Sequence, residues 1–367
     1  MAMLLLDRAQ LEVRTEGEAL ALYEAGQRRG TVPIKLIDRC VIHGANTKLD
    51  SGVLAKLAEA GCTTVLMSPR QTRRIAIVLG PYHNDAAVRL GQAQCVLDDA
   101  WCRQWAYALV LAKLTRQRKA LQSLLILRPD VRKPLLDAIA CIATSVSNLR
   151  GLASPGALPD LASLRGREGA AARGYFAGLA AVMPAALGFA GRNRRPPRDP
   201  VNACLSLAYT LLHAQAVQAC STAGLDPLLG FYHRPAIGRE SLASDLIEPL
   251  RPAVDLWVWE QLRSRQLRPE HFSTDKGACL LGKAGRQYFY TNWQTSTPPW
   301  GRWLRARTRQ LAATLRQNGQ AWLVNSDSDD ELDAVFSLDS ALDSPENEPE
   351  NEPEGDPENN EGSNTAF

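Results

Sequence analysis

Two rhythms of hydrophobic and polar positions meet near Gly80-Pro81. Up to about residue 80, short β-rich runs (LEVR, ALALY, PIKLI, CVIHG, TTVLMS, RIAIVLG) alternate with turn residues, and one helix is predicted over Ser51 to Ala60. Beyond it, apolar residues recur at helical spacing from AAVRLGQAQCVLDDAW to about Gln320. The segment Arg165 to Met183 reads as a helix stopped by Pro184. Asp199, Pro200 and Gly224 supply the cap, first position and stop of a long helix that is apolar on most sides. From Asn325 onward an N-E-P-E repeat and dense like charge predict disorder, with at most a nascent turn around Ala334 to Leu342. The expected class is α+β: a small N-terminal β-rich domain (1–80), a linker (81–90), a larger all-α domain (91–322) and a disordered acidic tail (323–367).

With 367 residues, 45% of them hydrophobic, the chain can build a sizeable core. Its net charge of +3 hides a division. Fifteen of the 39 acids lie from Asp327 onward and the last base is Arg316, which leaves 42 bases against 24 acids, or +18, before the tail. A body that basic suits a polyanion such as nucleic acid, or else is an evenly solvated basic surface. The tail either competes with DNA for the basic body or acts as a solubilising segment. The eight cysteines form no C-x-x-C pair and read as reduced core residues. The start, MAMLLLDR, is too short for a signal-peptide core. The longest uncharged run, Gly174 to Gly191, falls short of a span and contains Pro184, so no membrane segment and a cytoplasmic location are expected.

Three segments could carry chemistry. In the first helix named above, Glu168 shares a face with Ala171, Ala172, Tyr175 and Phe176. It is either an acid that needs a cation or a helix-end charge neutralised by Arg165 or Arg167. Ahead of the long helix, Arg192, Arg194, Arg195 and Arg198 gather near a helix N-terminus, where they would suit phosphate or form a solvated loop; His213, mid-helix, reads as a satisfied core histidine. In GFYHRPAIGRESLASDLIEP, His233 precedes a short helix that places Asp245 and Glu248 on one side. One imidazole with carboxylates suits Mg²⁺ or Mn²⁺ better than structural Zn²⁺, although spacing alone favours an ordinary capped turn. The phosphate-loop look-alike GACLLGKA ends in Ala284 rather than a hydroxyl residue and reads as a hairpin or turn.

In order, REGAAARGYF, GRNRRPPRDPVNACLSLAYTLL and GLDPLLGFYHRPAIGRESLASDLIEPLRP resemble the CRISPR adaptation integrase, the Cas-one endonuclease family, over roughly residues 90 to 300, with a later F-x-x-x-x-G-x-x-L element at Phe272, Gly277 and Leu280. The resemblance implies an N-terminal β domain for dimerisation and partner binding, an α-helical catalytic domain, a homodimer, and a heterohexameric complex with the small Cas-two subunit on double-stranded DNA. It further implies metal ligation by Glu168, His233 and Glu248, with Asp245 in support and Mg²⁺ or Mn²⁺ as cofactor. The expected chemistry is 3′-hydroxyl attack on a phosphodiester at a repeat boundary. The arginine loop and the basic helix carrying Lys113, Arg116, Arg118 and Lys119 are expected to contact the DNA backbone. Pro249 departs from the family pattern and is expected to end or kink the helix at Glu248. The competing readings are a non-catalytic DNA-bridging scaffold and a stand-alone metal nuclease acting on branched DNA.

Overall fold

The computed structural model describes residues 2–323 apart from 45, 69–72, 82, 153–157 and 194–195; the expected tail lies outside the described residues. Strands fill the first part of the chain. β1 (Ala2–Leu6), β5 (Ile37–Ile42), β7 (Thr63–Met67) and β8 (Arg74–Val78) form one sheet in the order β1-β5-β7-β8, parallel except for β8. β4 (Gln27–Pro33), β3 (Ala19–Glu24), β2 (Leu11–Glu16) and the short β6 (Lys48–Leu49) form a second. Alternation along each strand sorts side chains to opposite faces. One face of the first sheet sends Leu6, Cys40 and Ile42 into a small core with Leu11, Val13 and Leu20 of the second sheet and Val53 and Leu57 of α1 (Ser51–Glu59). Met3, Val41, Val65 and Met67, on the other face, belong to the main core of the helical part. Burial on both faces is what a parallel strand requires, and it ties the two cores together.

The helices are α2 (Ala86–Leu97), α3 (Asp99–Leu127), α4 (Arg132–Leu152), α5 (Leu161–Val182), α6 (Pro200–Thr222), α7 (Ser241–Ile247), α8 (Arg251–Arg263), α9 (Lys283–Ser296) and α10 (Pro298–Gly319). Asp98 separates α2 from α3 and caps the latter through Ala100 and Trp101 N–H. α6 starts as expected, with Asp199 capping Asn202 N–H and Pro200 in the first turn; it is buried on most sides and runs through the core. α2 and α10 cross so closely that a Cβ on Gly91 would lie 1.9 Å from the Leu315 carbonyl oxygen.

The α+β class holds, and the helical part also carries a hairpin, β9 (Phe272–Asp275) and β10 (Ala278–Leu281), at the phosphate-loop look-alike. Its turn residues Lys276 and Gly277 both have positive φ, as a two-residue hairpin turn requires. The pattern missed β4, because QRRGTVP is a mostly polar edge strand. PIKLI is no strand: Pro33 ends β4, Ile34–Leu36 makes a 3₁₀ turn and Ile37 begins β5. Seven cysteines are buried as expected, while Cys141 on α4 is exposed. Pro129–Leu152 is the one described helix long and apolar enough to span a bilayer, at mean hydropathy 1.2. Its Leu135, Ala138, Ile142, Val146 and Leu149 form a buried stripe, the pattern of an amphipathic helix packed on a core.

Candidate metal centre

The loop entering α7 is wound around one carboxylate. Asp245 is fully buried; its Oδ2 accepts the N–H groups of Phe231 and Tyr232, each at 2.9 Å, and its Oδ1 accepts the N–H of His233 at 2.9 Å. The same Oδ1 lies 2.7 Å from His233 Nδ1. An ionised carboxylate only accepts, so the imidazole proton sits on Nδ1 and the lone pair is left on Nε2, the arrangement that orients a ligating histidine. Gly230 makes the loop possible: a Cβ there would come within 2.7 Å of the His233 carbonyl oxygen and of Ser241.

Glu248 follows α7 directly. Pro249 does end that helix, by opening a 3₁₀ turn over Glu248–Leu250 that feeds into α8, but Glu248 itself keeps helical dihedrals, φ −53° and ψ −44°. The conformation disfavoured before proline is held here by the buried Leu246, Ile247 and Leu250.

Glu168 arrives from α5, and Lys113 of α3 stands between it and Glu248. The Lys113 ammonium is hydrogen-bonded to Glu168 Oε1 and lies 2.6 Å from Glu248 Oε2. Tyr232 donates its hydroxyl to Glu168 Oε2 at 2.9 Å, and Arg251 Nε lies 2.9 Å from Glu248 Oε1. Both Glu248 contacts are close in distance, yet Oε2 receives no aligned hydrogen bond although it is buried. Burial alone would raise the Glu248 carboxyl; the Arg251 guanidinium and Lys113 ammonium outweigh it and hold the group down at about 2. Burial alone would likewise lower Lys113, and Glu248 and Glu168 outweigh it, so the ammonium is held above its ordinary value. Neither arginine expected to neutralise Glu168 does so: Arg165 donates to the Tyr232 carbonyl at 2.8 Å and covers its ring, and the cation at Glu168 is Lys113.

Among the described residues no three His, Cys, Asp or Glu side chains are gathered closely enough to hold an ion as they stand. The donor chemistry nonetheless fits Mg²⁺ or Mn²⁺. Two carboxylates that already share a cation, an imidazole with its lone pair on Nε2, and a buried carboxylate oxygen without an aligned donor are what a hard divalent ion satisfies.

Sequence reasoning did not single out the layer beneath. Asp255 of α8 is buried and accepts the hydroxyls of Tyr175, at 2.8 Å, and Tyr209. Burial pushes its carboxyl up to about 6 against those two hydrogen bonds. Arg251 sits 4.6 Å over the Tyr209 ring, so a chain of contacts runs from Asp255 through Tyr209 and Arg251 to Glu248. The available signal was the spacing Glu248, Arg251, Asp255, three and then four residues apart on helical turns.

The expected DNA-contact residues divide. Lys113 is not on an open basic face but between the carboxylates. Arg192 donates to Asn202 Oδ1 at 2.8 Å and Ser206 Oγ at 3.1 Å, and Arg116 donates to the Pro249 carbonyl at 3.0 Å while covering Trp303. Arg118 is half-buried, Arg198 and Lys119 are exposed, and Arg194 and Arg195 lie outside the described residues. A basic face on α10 was missed: Arg302, Arg305 and Arg309 are exposed on one side of a helix with no acid, while Arg307 lies over the Trp105 ring and Arg316 pairs with Asp85 at 2.6 Å. His213 is satisfied as expected, 3.5 Å from Glu240 and 3.4 Å from Ser244 Oγ; burial holds it down at about 4.

Comparison with known proteins bears on the family and the fold. The family model described as CRISPR associated protein Cas1 matches residues 4–295. A CRISPR-associated endonuclease Cas1 of Thermodesulfovibrio yellowstonii is 36% identical over 292 residues, 79% of this chain and 89% of the relative. Among solved structures, a casposase bound to integration product superposes with a TM-score of 0.74 at 20% identity, covering 93% of this chain and all of the other. A chain of a Cas6-RT-Cas1–Cas2 complex does so with a TM-score of 0.69 at 21% identity, covering 87% of this chain and 35% of that one. Both share the fold.

Proposed function

The chain belongs to the CRISPR-associated Cas1 endonuclease family, and from that premise we propose that it is a metal-dependent DNA integrase, joining short DNA fragments to a CRISPR array by phosphodiester exchange. The 3′-hydroxyl oxygen of the fragment forms a new bond to a phosphorus at the repeat boundary, and the bond from that phosphorus to the array's own 3′ oxygen breaks. The proton lost by the attacking hydroxyl balances the one gained by the leaving oxygen, and no covalent protein intermediate forms. Glu168, His233 and Glu248 would hold a magnesium or manganese ion, which would supply Lewis acidity toward a phosphoryl oxygen.

The protein's own residues prepare the site for this. Asp245 fixes the His233 tautomer and holds the loop by three backbone N–H bonds, so Nε2 is presented without a search over ring orientations. Arg251 keeps Glu248 ionised in a buried setting, and Tyr232 limits the rotation of Glu168. Arg198 and Lys119, with Arg302, Arg305 and Arg309 of α10, offer exposed cations for backbone phosphates. A homodimer joined by a Cas2-type subunit is part of the proposal, supported by the fold shared with a chain from a Cas1–Cas2 complex.

The observation that carries this reading is the convergence of Glu168 and Glu248, from separate elements, on one cation beside a carboxylate-oriented histidine. A strand-transfer assay with Mn²⁺ tests it: Glu168→Ala and His233→Ala should fold and bind DNA yet join no strands. Undiminished joining would instead favour a DNA-bridging scaffold in which the acids are structural.

A further inference from the structure

Lys113 is the least expected member of the site. Its side chain is 11% exposed, projects from the middle of α3, and meets carboxylates of two other elements with a single ammonium. Its neighbour one turn on, Arg116, is occupied by the Pro249 carbonyl and the Trp303 ring. The Lys113 contacts differ in quality, since the approach to Glu248 Oε2 is out of hydrogen-bond alignment.

We propose that Lys113 is a positioning residue: an internal counter-ion that holds Glu168 and Glu248 together and that a divalent ion must displace in order to bind, so that this one ammonium sets the metal affinity of the site. The inference rests on the metal reading proposed above. Two carboxylates left facing each other, Glu248 buried and Glu168 half-buried, repel, and an ammonium relieves that at the cost of occupying their shared space. A divalent ion on the same oxygens would be repelled by a cation 2.6 Å from Glu248 Oε2, so both cannot be held there together. A lysine suits exchange of this kind. Its charge sits on a flexible four-carbon stem that can carry the ammonium away from both carboxylates. The apparent metal affinity is then the intrinsic one reduced by the fraction of molecules in which the ammonium has swung away.

The experiment is a calorimetric Mn²⁺ titration of the full chain, with thermal unfolding alongside. Lys113→Met should bind Mn²⁺ about tenfold more tightly, as follows if the ammonium vacates the site about a tenth of the time. It should also melt lower than the parent without metal and regain more on adding it. Lys113→Gln, neutral and similar in length, should behave in the same way and serves if Lys113→Met does not fold. Glu168→Ala separates the two levels. If it loses Mn²⁺ binding while folded Lys113 variants bind no more tightly than the parent, the counter-ion inference is overturned and the metal reading stands. If Glu168→Ala binds Mn²⁺ like the parent, the metal reading falls and the inference with it.

Discussion

Replacing Asp245 with asparagine changes one atom and should disable the site. The carboxylate accepts four donors, two on each oxygen: Phe231 and Tyr232 N–H on Oδ2, His233 N–H and its ring Nδ1–H on Oδ1. Turned with its NH₂ toward Phe231 and Tyr232, an asparagine amide leaves both of those N–H groups unsatisfied in a fully buried position; turned toward His233, it leaves the His233 N–H unsatisfied and suits the ring only if Nδ1 gives up its proton and accepts. Hydrogen bonds to a charged acceptor are each worth about 1.5–3 kcal/mol, so losing one or two costs about 1.5–6 kcal/mol, set against the ~5–15 kcal/mol of a typical domain. In the second orientation the imidazole proton moves to Nε2, which is then no longer the lone-pair nitrogen; in the first the neutral amide oxygen holds the tautomer less firmly than the carboxylate did. Urea denaturation measures the first effect, and Mn²⁺-dependent strand joining by the fraction that remains folded measures the second. An Asp245→Asn protein within about 1 kcal/mol of the parent, joining strands at the parent rate, would refute the reasoning.

Other outcomes follow from the same contacts. His213, facing Glu240, Arg74 and Arg251, is held at about 4 against an ordinary 6.5. The unfolded chain therefore takes up that proton first, and the stability from neutral His213 is complete above 6.5 and lost as pH falls toward 4, by up to about 3 kcal/mol. Denaturation at neutral and acid pH should show a shallower acid loss in His213→Gln. At the α2–α10 crossing, Gly91→Ala places a methyl 1.9 Å from the Leu315 carbonyl oxygen and should cost about 3 kcal/mol or prevent folding, whereas Gly166→Ala, with nothing within 4 Å, should be neutral or stabilise by under about 1 kcal/mol. Removing the exposed Arg198 or Lys119 should reduce the salt dependence of DNA binding by about one counterion each, while Arg192→Ala should lower stability through its lost bonds to Asn202 and Ser206.

Much of this architecture was legible in the chain because it rests on local chemistry. The cap and proline of α6, the stop before Pro184, the hairpin turn at Gly277 and the change of rhythm near Gly80 are all short-range signals. The pairing of His233 with Asp245, twelve residues apart across a loop that Gly230 permits, was not legible from spacing, which favoured an ordinary capped turn; Asp245 was expected in support only through the family resemblance. What escaped depends on contacts far apart in sequence. Nothing around Lys113 in AKLTRQRK distinguishes a lysine facing DNA from one buried between two acids; the difference is made by α5 and the turn after α7, 55 and 135 residues further on. The proline beside Glu248 ends α7 as expected, but the dihedral angles of Glu248 were not legible for a related reason. Its local preference is weak, and the packing of Leu246, Ile247 and Leu250 decides the dihedral angles instead. Polar edge strands such as β4 are invisible to a hydrophobic pattern because only one neighbour and little core hold them.

The central claim is that Glu168, His233 and Glu248 form one metal-dependent strand-transfer site. Its most direct measurement is joining of a labelled DNA fragment to supercoiled target by the full chain with a Cas2-type partner, with and without Mn²⁺, for the parent, Glu168→Ala and His233→Ala. The account predicts joined product only in the parent and only with the ion, while all three proteins retain DNA binding. Metal-independent joining, or equal joining by either variant, would contradict it.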